Sequence, residues 1–244
     1  MKNIDIIRIR NNTGLLQGTL IKSDYFKSPD DRIYFQQKLR AWWKNNHRDF
    51  PWRTTRNTYH ILIAEILLHR TRAEQIIPVY NEFLEKYPTI REVADASESE
   101  IREILYSLGL HWRARLLHYM AVQIVKEYEC KIPLEKEKLE SLPGVSQYIA
   151  SAVRCFALGF PEVLLDTNTV RITGRIFGIK TTDSSRRSVT FRELLQFLVD
   201  EKNPREFNFA LIDLCALICR SSRPSCSQCP VIKICTYGNN GGVI

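Results

Sequence analysis

No apolar run in the 244 residues is long enough to cross a bilayer; the longest, 61–68, is broken by Glu65 and falls far short of the roughly 20 residues a spanning helix needs. That excludes an integral membrane helix, and no membrane partner is expected. Residues 1–10 lack the apolar core of a secretory signal, so a reducing cytosolic setting is expected. No stretch alternates polar and apolar residues as a half-buried strand does, and no internal repeat or low-complexity tract stands out. Strand-built and repeat architectures are thereby set aside. Acidic residues are the minority charge, 27 against 35 Lys and Arg, leaving a formal net charge of +8 and a pI near 9.2. Such a balance favours a polyanionic partner through counterion release.

What is present is helical periodicity. Ser28 is a good N-cap ahead of Pro29 and Asp30, and from there the pattern predicts helices over 29–46, 58–70, 73–87, 89–95, 98–107, 111–128, 135–141, 146–158, 167–177, 186–200 and 204–218. The fold class is all-α. Residues 1–25, with the polar group Asn11, Asn12, Thr13 and Gly14, read as a flexible extension, and 238–244 as a tail.

Four of the seven cysteines, Cys219, Cys226, Cys229 and Cys235, follow the spacing Cys-x6-Cys-x2-Cys-x5-Cys near the C-terminus. Four thiolates are the usual ligands of a 4Fe–4S cluster, and one short loop can supply them all. Structural zinc sites more often pair two short knuckles across a long gap, so this spacing favours the cluster while leaving zinc as the alternative. Cys130, Cys155 and Cys215 read as packed thiols, Cys215 one helical turn before Cys219.

The segment Leu142-Pro143-Gly144-Val145-Ser146 joins a Lys- and Glu-rich helix to an apolar one and resembles the turn of a helix-hairpin-helix element. Gly144 permits unusual backbone angles, and the free amides of the following helix can hold a phosphate or a bridging cation. Eighteen residues beyond Tyr148 stands Asp166, in Leu164-Leu165-Asp166-Thr167-Asn168. Together with Phe50-Pro51-Trp52-Arg53, Ala64-Glu65-Ile66-Leu67-Leu68 and Leu108-Gly109, the hairpin, the Asp166 turn and the cysteines resemble, in order, the helix-hairpin-helix DNA glycosylases of the endonuclease III and MutY superfamily.

That resemblance implies two helical lobes, a barrel over 58–160 and a cluster domain of 26–57 with 161–244, and DNA with a flipped base held between them. The implied chemistry is hydrolysis of a base's N-glycosidic bond. Asp166 would stabilise positive charge at C1′ and assist water, although Asp166, Thr167 and Asn168 are all also capable N-caps. Tyr148 stands where bifunctional members carry a lysine, and a phenol forms no Schiff base, so no strand cleavage is expected. Tyrosine here resembles the archaeal-type thymine mismatch glycosylases called MIG. The segment Leu68-His69-Arg70-Thr71 does likewise, and the domain with which MutY checks 8-oxoguanine is not expected here. MutY commonly has tyrosine where Leu110 stands and paired glutamines at His69-Arg70.

Glu65, inside an apolar helix, shares a face with His69 and Arg72 at spacings of four and three, as at a wet cleft or an internal ion pair. As the third candidate in the active site it would meet the base edge. Leu142, Gly144, Ser146, Gln147, Arg70 and His69 are the candidate DNA contacts, Arg70 at the family's wedge position and suited to an orphan guanine. Ser146 replaces a usual glycine and Ile149 a usual threonine. Arg113, Arg115, Arg220, Arg223 and Lys233 are further candidates for phosphate, whereas Trp42, Trp43, Trp52 and Trp112 read as packing. The expected partner is double-stranded DNA bearing a mismatched or damaged base, bound by a monomer, with an abasic-site endonuclease acting next. Two other readings stand beside a T·G or U·G glycosylase: a MutY-like adenine glycosylase on A·G or A·8-oxoguanine, and a non-catalytic lesion-recognition protein.

Overall fold

The computed structural model describes residues 30–109 and 111–242, and every regular element among them is helical. In order these are α1 (Asp30–Trp43), α2 (Pro51–Thr54), α3 (Thr58–Leu68), α4 (Ala73–Lys86), α5 (Ile90–Asp95), α6 (Glu98–Ile104), α7 (Trp112–Tyr128), α8 (Lys136–Glu140), α9 (Gln147–Leu158), α10 (Thr167–Phe177), α11 (Val189–Leu198), α12 (Pro204–Leu217) and α13 (Thr236–Asn239). The expected extension over 1–25 and the departure at Leu110 lie outside the described residues. Two elements differ from expectation: α2 is a single turn started by Pro51, too short for periodicity to reveal, and α13 takes up part of the supposed tail. No helix among the described residues is long and apolar enough to cross a membrane.

The chain divides into two units, one of Met1–His47, Leu165–Val199 and Glu206–Ile244, the other of Arg48–Leu164 with Asp200–Arg205. The second takes in α2 because Trp52 stacks flat on Phe50, 4.9 Å between centroids, and meets Tyr80 edge-on. Its centre is α3, apolar almost all round, with Ile61, Leu62, Ile63, Ala64 and Leu67 at 1% exposure or less. Asn57 starts this helix, its side chain accepting from the Tyr59 and His60 amides. α9 and α4 pack on α3, and α5 and α6 on α7.

A carboxylate braces α8 and α9 on either side of the 142–146 turn. Glu162 accepts from Lys136 Nζ (2.7 Å), Arg154 Nε (2.6 Å) and Ser151 Oγ (3.2 Å), while Arg154 also reaches the Leu134 carbonyl. Burial raises the Glu162 carboxyl, but the Lys136 and Arg154 hydrogen bonds and charges outweigh it and hold it below the ordinary range.

In the first unit α10 packs against α11 and α13, and α1 against α11. Arg32 and Gln36 of α1 donate to the Val199 carbonyl, and Gln36 also to Leu198, at the end of α11. Trp43 Nε1 donates to Asp213 Oδ2 at 2.9 Å, with Asp213 fully buried on α12.

Glu162→Gln is expected to cost about 1–3 kcal/mol in denaturant unfolding at pH 7, since it weakens a charge-assisted brace. A depressed folded pKa means stability present above the unfolded value near 4.3 and lost as pH falls through the folded one. The gap between wild type and variant should therefore close below about pH 4; a gap independent of pH would refute the ionic brace.

Candidate active site

The end of α3 departs from the sequence expectation. The helix stops at Leu68, with His69 as its C-cap, and Arg72 is the N-cap of α4, so Glu65, His69 and Arg72 do not form a stripe on one helix. At this helix end stands Arg113, expected on a phosphate but only 1% exposed. Its guanidinium donates to the Leu67 carbonyl (2.9 Å), the His69 carbonyl and Thr71 Oγ1 (2.9 Å), satisfying oxygens that a helix end leaves open. Arg70 lies between these acceptors, exposed and with φ +62°. Partial desolvation, helped by the charges of Arg113 and Arg70, lowers the His69 pKa, so the imidazole is neutral at pH 7. Arg115 is exposed and lies over the Tyr119 ring.

Glu65 is 6% exposed on α3, and Tyr148 is half-buried on the first turn of the adjoining α9. Their neighbours Ile66 and Ile149 line a hollow of about 10 Å³ with His69, Trp112, Arg113 and Gly144. Trp112 differs from its sequence reading as packing: the residue is 46% exposed, its ring edge-on to His69.

The hairpin is closed by the Val145 amide on the Leu142 carbonyl at 3.1 Å. Leu142 is 2% exposed and anchors the turn from beneath. Gly144 has φ +80°, and a Cβ there would stand 3.2 Å from Leu116 Cβ and Cδ1. Ser146 adopts φ −82° and caps α9, its Oγ accepting from the Ile149 amide. A position with negative φ does not demand glycine, which accounts for the serine. Ser146 and Gln147 are exposed, whereas Ile149 is 3% exposed, a core residue.

In the other unit Asp166 caps α10. Oδ1 accepts from the Asn168 and Thr169 amides at 2.9 and 2.8 Å and from Thr169 Oγ1 at 3.1 Å. Oδ2 takes one bond, from Asn168 Nδ2 at 2.8 Å. Capping and chemistry are thus compatible: one oxygen serves the helix and the other keeps a lone pair. Arg171 holds Asn168 Oδ1 (3.0 Å) and donates to the Cys219 and Cys215 carbonyls. Burial raises the Cys215 pKa far above normal, with Cys219 and Asp166 adding to it, so Cys215 is a neutral thiol. Arg175, one turn on, reaches Cys219 Sγ (3.3 Å) and the Arg220 and Ser221 carbonyls and lies over Tyr237.

Burial pushes the Cys229 thiol up to about 12, and Cys235, Cys219 and Cys226 add to the push. Among the described residues no three His, Cys, Asp or Glu side chains converge as ligands of one ion. Tetrahedral zinc, with bonds of about 2.3 Å, would need its thiolates within about 4 Å of one another. A 4Fe–4S cluster takes four thiolates as a wider donor set, and Arg175 donates to one of the four candidates, Cys219 Sγ. Cys155 and Cys215 are buried as expected; Cys130 is half-buried and takes a bond from Arg91.

Comparison with known proteins adds to this geometry. The family described as HhH-GPD superfamily base excision DNA repair protein matches residues 63–197. A thymine-DNA glycosylase of Aeropyrum pernix is 40% identical over 213 residues, 84% of this chain and 94% of that protein. A thymine/uracil-DNA glycosylase of Pyrobaculum aerophilum is 38% identical over 223 residues, 88% and 96%. A solved thermostable thymine-DNA glycosylase superposes with a TM-score of 0.80 at 34% identity, covering 86% of this chain and 98% of its own.

Gly144→Ala is expected to destabilise the second unit by about 1–2 kcal/mol, the cost of a left-handed L-residue, before any shift of Leu116. Ser146→Gly should cost only a few tenths of a kcal/mol, the usual penalty for glycine at an N-cap. Equal losses in urea unfolding would contradict the backbone assignment.

Proposed function

The chain belongs to the HhH-GPD superfamily of base excision DNA repair proteins, and we propose that it hydrolyses the N-glycosidic bond of thymine or uracil mispaired with guanine, leaving the abasic strand intact. The observation that carries this reading is the likeness to thymine and thymine/uracil glycosylases along nearly their whole length. A paired base is out of reach inside a duplex, so it must be extruded, at a cost of a few kcal/mol that is least for a mismatch. Asp166, fixed through Oδ1 to α10, offers Oδ2 to the positive charge developing at C1′ and to the attacking water. Tyr148 has no amine, so the reaction stops at the abasic site. Glu65 meets the edge of the extruded base, and neutral His69 supplies a hydrogen bond without adding charge.

Gly144, Ser146 and Gln147 bring the α9 amides to a phosphate, a contact that carries no sequence information. Arg70 is assigned to the orphan guanine. Cys219, Cys226, Cys229 and Cys235 would hold a 4Fe–4S cluster. Its contribution when bound is structural, presenting Arg220, Arg223 and Lys233 to the phosphate backbone. The protein acts as a monomer in the cytosol at the nucleoid, and its product requires a phosphodiester-cleaving enzyme specific for abasic sites.

Single-turnover excision on T·G, U·G, A·G and A·8-oxoguanine duplexes tests the reading. Cleavage of the T or U strand only after alkali is expected. Cleavage confined to the A strand would transfer the protein to the adenine reading, and tight binding without excision would leave a recognition protein. Asp166→Asn keeps the cap and removes the charge; excision should fall by at least about 10³-fold, the scale of a lost electrostatic stabiliser, while DNA binding persists. Tyr148→Lys is expected to introduce strand cleavage without alkali, trapped by borohydride; no trapping would mean residue 148 does not face C1′.

A further inference from the structure

We propose that Arg113 is a positioning residue that sets the turn presenting Arg70 to DNA. The inference rests on the assignment of Arg70 above. Residues 67, 69 and 71 all give an acceptor to the one Arg113 guanidinium, and Arg70 sits among them. Two backbone bonds shape the same turn: the His69 amide to the Ile66 carbonyl and the Thr71 amide to the Leu68 carbonyl. Arg70 has φ +62°, a region L-residues rarely occupy and keep only where their surroundings impose it. The imposing group is Arg113, whose planar fork can bind several oxygens in fixed directions.

Location supports a role beyond packing. Arg113 is 1% exposed, and the oxygens on its guanidinium belong to carbonyls and a hydroxyl, none of which carries a formal charge. Desolvation pushes its pKa down to about 10, so burial works against the charge while leaving it protonated at pH 7. An exposed helix end needs no such group, since water can satisfy its carbonyls. A buried guanidinium is required where the turn must hold one shape. The exposed segment 69–70 is such a turn, and Arg113 is also a wall of the hollow bordered by Gly144. The same arginine therefore lies between the exposed turn and the hairpin.

A double-mutant cycle separates this role from stability. Single-turnover excision from a T·G duplex is measured for Arg70→Ala, Arg113→Met and the pair, with Tm recorded for each. Arg70→Ala should slow excision at least tenfold at unchanged Tm. Arg113→Met should slow it about as much while lowering Tm, and the pair should be no slower than either single variant. Multiplying losses in the pair, or unchanged excision in Arg113→Met, would overturn the inference while sparing Arg70. No effect from Arg70→Ala would overturn the assignment of Arg70 itself and the inference with it. If Arg113→Met does not fold, Thr71→Val removes one acceptor of the guanidinium and enters the same cycle, and Arg113→Lys, with a single donor head, should restore little.

Discussion

Helix ends and irregular turns inside a protein leave carbonyl oxygens that must find donors, and in this chain arginine side chains supply many of them. Arg113 holds the end of α3, Arg32 the end of α11, Arg154 the Leu134 carbonyl, and Arg205 the Arg53 and Thr55 carbonyls after α2. Arg171 and Arg175 hold the carbonyls from Cys215 to Ser221. A part of the positive charge thus serves the fold, with Arg113 and Arg175 buried. A carbonyl has a dipole but no net charge, so these guanidinium groups still add to the field that draws a polyanion in.

The α10 terminus shows how one carboxylate can carry a structural and a chemical assignment. Sequence poses cap and catalyst as rivals for Asp166, since Asp, Thr and Asn are all good caps. In the structure Oδ1 is taken up by the helix and Oδ2 by a single side-chain amide, so the cap does not occupy both oxygens. A capping carboxylate cannot swing away, which is what a group that must face a sugar requires.

The helices were largely legible because apolar periodicity and capping residues act locally: Asn57 and Ser146 head helices in the structure much as their types imply. The hairpin was legible because only glycine easily takes φ +80° at residue 144. What sequence could not show is where long polar side chains end up. Arg113 and Arg115 are two residues apart and of one type, yet the first is buried at a helix end and the second is exposed over Tyr119. Spacing rules extended α3 past Leu68 and aligned Glu65, His69 and Arg72, because nothing local announces that a distant guanidinium will take up the carbonyls at the helix end. Trp112 errs in the other direction, an apolar ring left partly outside because it opens α7.

The cysteine loop is tied at both ends to α10. Arg171 and Arg175 grip the Cys219 carbonyl and sulfur, while Thr236 Oγ1 donates to the Ile176 carbonyl. Loop and helix therefore form one cooperative unit in local unfolding: neither end of the loop can lift without breaking bonds to the helix whose first turn fixes Asp166. An oxidised or misfolded loop would be felt at the carboxylate as a frayed helix, and amide exchange at the head of α10 would report on the integrity of cysteines more than a full helix away in sequence.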